Sequence, residues 1–272
     1  MSRRGSRNSR NYRGRRGGRR SSGKKLITAA VVAVACLGAV LGADTGDLVQ
    51  FLDYAGTDTE VIAEGTESAY TPSTFSEEEW PEMYRIRGAA VLDGVELKPG
   101  QVEYIYNPYS KTQRVEALLT HENLEYGKRE RESLSDLEPI GWPENREVEV
   151  SYRNGATYHG MFWNRSHLLA HALGGEDEEK NLITGTRAQN VGTDRHHGGM
   201  QFTEEIAREY LTEHPDGQLY YVVTPIYEED ENIPRSVFVD MRSDDGRIDM
   251  HVEVFNVMPG YEIDYANGTW DN

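Results

Sequence analysis

At 272 residues, with 46 Asp/Glu against 29 Lys/Arg and a formal net charge of −17, the chain has room for one sizeable domain plus appendages. A single cysteine excludes a disulfide-stapled scaffold. The acidic balance argues against a partner bound mainly by phosphate neutralisation, so any nucleic-acid chemistry must come from a local site rather than the overall field.

Residues 1–25 carry 11 Lys/Arg and no acid in a Gly/Ser/Arg-rich setting. That composition cannot bury a core and reads as a disordered basic tail. Leu26 to Ala43 is an 18-residue stretch without a charge, and residues 44–80 then hold 10 acidic residues and no basic one. A basic flank, an apolar run and an acidic polar stretch form an export pattern. The run is long for a signal-peptide core and just sufficient for a tilted span. The first reading is therefore an uncleaved anchor, touching the membrane through residues 26–43, with an acidic linker over 44–80 and an extracytoplasmic domain over 81–272. A cleaved signal peptide, giving a secreted protein, and a lipid-modified Cys36 are the alternatives. Residues 44–272 carry 18 Lys/Arg against 46 Asp/Glu, a net of −28.

Basic residues return near Pro81, where the folded domain is expected to begin. "AAVLDGVELKPGQ" and "VEYIYN" read as short strands or turns. "RVEALLTHENL" suits a helix face through Val115, Leu118 and Leu119, yet a strand equally well. "KRERE" is a polar loop. "EVEVSY" alternates Val148, Val150 and Tyr152 with polar neighbours, as a half-buried strand does. Asn154–Gly155 predicts a two-residue hairpin turn, with "ATYHGMFW" returning. "SHLLAHALGG" predicts a short helical or irregular piece ended by Gly174 and Gly175. "EDEEKN" is a loop, and "LITGTRAQN" enters a helix. "FTEEIAREYLTEH" predicts a helix with Phe202, Ile206, Ala207, Tyr210 and Leu211 on one face and Glu204 and Glu205 in its first turn. "LYYVVTPIY", "RSVFVDM" and "IDMHVEVFNV" are strand-like. No internal repeat is present. The sum is an α+β domain with a hairpin, helices and an antiparallel sheet.

His167 and His171 are four apart, but a zinc-peptidase helix needs Glu directly after the first His, and Leu168 stands there. HxxxH alone is by default a packing pattern. A nucleophilic triad is equally weak: the cysteine lies in the apolar run and no GxSxG elbow exists. What remains is a histidine after a hairpin, amides downstream, and a Glu with an Arg four later on a helix. A neutral His can take a proton from water. An Asn carbonyl can be most of the protein shell of Mg²⁺, which keeps its waters. Arginines can clamp phosphoryl oxygens. These residues are compatible with phosphodiester hydrolysis without requiring it.

The ordered set "NRSH…KNLITGTRAQN…GMQFTEEIAR", with "FNVMPGYEIDYANG" near the C-terminus, resembles the DNA/RNA non-specific endonucleases. These are ββα-metal (His-Me finger) enzymes, and the streptococcal secreted DNases and DNA-entry nucleases are the nearest in pattern. The likeness runs from about Tyr104 to Gly268. It implies a ββα-metal core with a central antiparallel sheet flanked by helices. It also implies a Mg²⁺-dependent endonuclease, with Mn²⁺ as a substitute, acting on DNA, with RNA as an additional candidate substrate and the preference between them open. By position, His167 is implied as the general base, Asn190 as the Mg²⁺ ligand and Asn181 as a supporting amide. Glu204 is implied to hold metal-bound water, Arg208 to stabilise the pentavalent phosphate, and Arg165 to contact the backbone or brace the site. Lys128 and Arg131 fall in a segment resembling a nucleic-acid-contacting loop. The wider family has Asp-Arg-Gly-His where this chain has Asn164, Arg165, Ser166 and His167; the streptococcal branch shares this form. His171, by this reading, packs, and no role attaches to His196 or His197. The competing readings are a catalytically inactive DNA-binding module and an exported zinc hydrolase. No protein partner is inferred.

Overall fold

In the computed structural model, residues 69–108, 111–193 and 198–272 are described. The basic tail, the apolar run and most of the 44–80 stretch lie outside them, as do His196 and His197. Among the described residues no helix is long and apolar enough to cross a membrane.

The frame is a six-stranded antiparallel sheet. Its strands are β1 (Tyr84–Gly88), β2 (Val102–Tyr106), β3 (Thr112–Leu119), β8 (Leu219–Ile226), β9 (Ser236–Ser243) and β10 (Asp249–Phe255), in the order β1-β10-β9-β8-β3-β2. The three C-terminal runs thus became consecutive neighbours, as antiparallel pairing through short turns allows. Alternation sets the faces. Val115, Ala117, Tyr221, Val223, Val239, Met241, Val252 and Val254 all join the main core. The ambiguous "RVEALLTHENL" is resolved by a break at Thr120. Residues up to Leu119 are strand, and His121–Tyr126 forms helix α1, with Asn123 Oδ1 accepting from Thr120 N at 2.9 Å. The β-branched and apolar alternation won upstream; the capping chemistry won downstream.

Strands β4 (Glu147–Ser151) and β5 (Thr157–Met161) form the predicted hairpin, but its loop has three residues, not two. Tyr152 N donates to Ala156 O at 2.9 Å, and only Gly155, at φ 87°, is left-handed. A type I′ turn needs positive φ at both central residues; here Asn154 spends its side chain on Ala156 N instead. Strands β6 (Trp163–His167) and β7 (Leu182–Thr186) pair with each other, and helix α2 (Arg187–Val191) follows. Helix α3 (Met200–Glu213) buries Met200, Thr203, Ala207, Tyr210 and Leu211, and several of these share the main core with Leu168, Leu169, Leu173 and Ile183 of the β6–β7 region. A second cluster joins β4, Phe162 and Trp163 to Met258 and Tyr265; Phe162 stacks on Trp270 with ring centroids 4.8 Å apart.

The ordered packing begins upstream of Pro81. Phe75 and Trp80 pack on Phe255, and Tyr70 donates to Asp240 Oδ2 at 3.0 Å. Ser73 N donates to Glu253 Oε1 at 2.6 Å. Asp240 and Glu253 are fully buried, so this strap supplies hydrogen bonds that would otherwise be missing on the outer face of the sheet.

Candidate active site

The unit β6–β7–α2 carries the histidine and one of the amides singled out in the sequence. Register pairs His167 with Leu182 and Trp163 with Thr186, which brings the end of β7 and the start of α2 beside the start of β6. Thr186 caps α2 by accepting from Gln189 N at 2.9 Å. Asn190, in that helix, accepts from Ser166 Oγ at 3.1 Å, and its Nδ2 donates to Asn164 Oδ1 at 3.4 Å. The two residues that depart from Asp-Arg-Gly-His are therefore those that hold the Asn190 amide.

His167 is buried and ends β6. Its Nε2 lies 2.9 Å from Asp177 Oδ1. A carboxylate only accepts, so Nε2 carries the proton and Nδ1 has a bare lone pair. Arg131 Nη2 donates to that Nδ1 at 3.4 Å. Burial drives the imidazole down to about 4, assisted by the Arg131 charge and opposed by the hydrogen bond to Asp177. The ring is neutral at physiological pH.

Arg131 also faces Glu204, whose carboxyl burial pushes up to about 7 while the Arg131 charge pulls it down. Glu204 keeps some solvent access. It does not lie in the first turn of its helix: α3 starts at Met200, so the N-terminal dipole that the sequence reading invoked is one turn away, and burial decides its ionisation. Among the described residues, Glu204 makes no ion pair with Arg208, which is exposed on the next turn.

Arg165 braces a loop. Its Nε donates to Leu137 O, its Nη2 to Ser135 O at 2.9 Å, and its guanidinium lies 4.1 Å over the Trp142 ring. Two of its donors are thus committed to backbone. Asn181 is fully buried and clasps a loop: its Nδ2 donates to Leu169 O and Glu176 O, and its Oδ1 accepts from Leu169 N. Lys128 sits in a surface ion pair with Glu125, while Arg131 is at the histidine.

His171 does more than pack. β6 stops at His167 and a 3-10 turn covers His171–Leu173, so the two histidines share no helix. His171 Nδ1 lies 2.9 Å from Asp177 Oδ2. Asp177 had no mark in the sequence, standing in an acidic run with Glu176, Glu178 and Glu179; the fold alone selects it. Burial raises its carboxyl, but the Glu132 N–H and the two imidazoles outweigh that and hold it below the usual carboxylate range.

The loop that delivers Asp177 depends on Gly175. A Cβ there would stand 1.9 Å from the Leu169 carbonyl oxygen. Gly175→Ala is expected to cost about 1–3 kcal/mol, the usual toll of overpacking, and to lower the thermal melting midpoint. A melting curve superposable on wild type would show that the loop can shift freely.

Among the described residues no three His, Cys, Asp or Glu side chains group as a metal-ligand set. An ion held by the Asn190 amide oxygen would take most of its ligands from water, as Mg²⁺ does.

A family model described as DNA/RNA non-specific endonuclease matches residues 90–271. A curated deoxyribonuclease of Streptococcus dysgalactiae subsp. equisimilis is 32% identical over an alignment of 197 positions, which covers 61% of this chain. The chain spans 60% of the length of that relative. Among solved structures, Sda1 nuclease with bound zinc ion superposes at TM-score 0.68 and 29% identity, covering 73% of this chain and 100% of that one. NucA from Streptococcus agalactiae with magnesium ion bound shares the fold at TM-score 0.55 and 18% identity, covering 71% of this chain and 92% of its own.

Proposed function

Because the chain belongs to the DNA/RNA non-specific endonuclease family, we propose that it is an exported, Mg²⁺-dependent endonuclease that hydrolyses phosphodiester bonds of DNA without sequence preference, with RNA as a second candidate substrate. The observation that carries this reading is a buried, neutral imidazole at His167. Its Nε2 is held by Asp177, and its unprotonated Nδ1 is turned toward an arginine. Such a nitrogen can accept a proton from water as the oxygen attacks phosphorus, in line with the leaving 3′-oxygen, giving 5′-phosphate products.

Asn190 would hold the ion through its amide oxygen, kept in place by Ser166, and Glu204 would hold water bound to it. When bound, the ion supplies neutralisation of charge developing on the phosphoryl group and the leaving oxygen. Arg131 sits where its guanidinium would exchange the His167 contact for a phosphate oxygen. Arg208, exposed one turn beyond Glu204, would reach the same phosphate from solvent. Asn181 and Arg165 keep the loops in position. Lys128 would add charge at the rim.

Export rests on the order of the N-terminal segments: basic over 1–25, uncharged over 26–43, acidic over 44–80. Anchored and secreted forms both follow from it.

The test is incubation of the full chain with supercoiled plasmid, linear duplex, single-stranded DNA and RNA, in Mg²⁺, in Mn²⁺ and in chelator. Cleavage of all DNA forms at many positions, abolished by chelator and restored by Mg²⁺, is the expected result. Retention of DNA in a gel without cleavage under any metal would overturn the enzyme reading in favour of a binding module.

A further inference from the structure

Two loops meet at Asp177, and their contacts form a continuous set. Asp177 Oδ1 lies 2.9 Å from His167 Nε2, and Oδ2 accepts from Glu132 N at 3.0 Å and lies 2.9 Å from His171 Nδ1. His171 Nε2 donates to Arg129 O at 3.2 Å, and Arg129 Nη2 donates back to Gly175 O at 2.7 Å. Residues 129 and 132 are therefore both pinned to the 171–177 loop, and Arg131 stands between them. The Arg131 side chain is 55% exposed; its guanidinium reaches His167 Nδ1 at 3.4 Å and Asp177 Oδ1 at 3.9 Å, and the anchored backbone on either side places it there.

From this geometry we infer that Asp177 and His171 are a positioning pair. Asp177 fixes the His167 tautomer and holds Glu132 N, and His171 Nε2 holds Arg129 O, so that together they fix the loop that presents Arg131 at the base. This rests on the nuclease reading for its kinetic consequences, though not for its structural ones. The physical reason is economy of acceptors. A carboxylate cannot donate, so it forces the proton onto His167 Nε2 and leaves Nδ1 free to accept. The same carboxylate's second oxygen accepts from a backbone amide of the arginine loop, and His171 Nε2 holds that loop two residues before Arg131. One buried anion thus sets the state of the base and the place of the cation facing it.

The two halves separate experimentally. In the full chain labelled with ¹⁵N-histidine, long-range ¹H–¹⁵N correlation at neutral pH is expected to show His167 as the Nε2–H tautomer. Asp177→Asn offers an N–H in place of an acceptor and should move His167 to the Nδ1–H tautomer. kcat should then fall roughly 10²–10⁴-fold, the range of a lost general base, with little change in KM, and Asp177→Glu should restore part of both. His171→Phe keeps the ring volume and leaves the tautomer alone, but should raise amide exchange across residues 129–132. It should also raise KM no further when combined with Arg131→Ala than Arg131→Ala does alone.

An Asp177→Asn protein that keeps both the Nε2–H tautomer and kcat overturns the first half. Unchanged exchange at 129–132 in His171→Phe, or additive effects with Arg131→Ala, overturns the second. If the wild type cleaves no nucleic acid, the nuclease reading falls. The tautomer and exchange measurements still decide the positioning pair.

Discussion

His167→Ala is expected to lower cleavage of duplex DNA by roughly 10²–10⁴-fold or more, the contribution of a positioned general base, with KM nearly unchanged. The imidazole is neutral because it is buried, and its free nitrogen is Nδ1 because Nε2 is bound to Asp177. No other neutral nitrogen base is placed beside Arg131 among the contacts described; His171 turns its nitrogens to Asp177 and Arg129 O. The substitution also strips Asp177 Oδ1 of a partner in a buried setting, which costs about 1–3 kcal/mol. Thermal melting and far-UV circular dichroism of the variant therefore belong beside the kinetics. A folded His167→Ala protein that cuts at the wild-type rate removes the imidazole from the mechanism.

A second large effect concerns stability against pH. His167 has its folded value depressed to about 4, below an unfolded value near 6.5. Between these the unfolded chain binds a proton that the native state does not, so this group's contribution is present above pH 6.5 and is lost as pH falls through 4. Glu204 runs the other way. Its folded value is raised to about 7, against roughly 4.3 unfolded, so its contribution is present below pH 4 and is lost as pH rises through 7. Over the shared window the two slopes oppose each other. In chelator, Glu204→Gln should uncover the His167 slope and lose up to about 3 kcal/mol between pH 6.5 and 4 relative to wild type. His167→Ala should uncover the opposite slope and lose stability from pH 4.5 to 7, by a smaller amount because Glu204 keeps some water access. Urea unfolding at four or five pH values measures both. Parallel profiles for wild type and Glu204→Gln would mean that the carboxyl is not desolvated in solution.

The acid limb of activity follows from the same values. A base that stays neutral down to about pH 4 predicts no loss of rate at pH 6 from His167 itself, whereas the ion-free Glu204 carboxyl takes up its proton near 7.

Local pattern alone determined the hairpin of β4 and β5, the three C-terminal strands, the apolar face of α3 and the place of His167 after a hairpin. Each rests on side-chain period or turn chemistry, which act over a few residues and are readable in the chain. The motifs around His167, Asn181, Asn190 and Glu204 were legible only through their resemblance to a family, since neither period nor turn chemistry marks them. Tertiary structure alone decided the rest. It chose Asp177 from four neighbouring acids, placed Arg131 36 positions upstream of its partner His167, gave Arg165 to the 135–142 loop, and folded residues 69–80 onto the outer face of the sheet. It also set the ionisation of His167 and Glu204, since desolvation is a property of everything packed around a group. Contacts between residues far apart in the chain leave no period to read, and burial exists only once the chain has closed on itself.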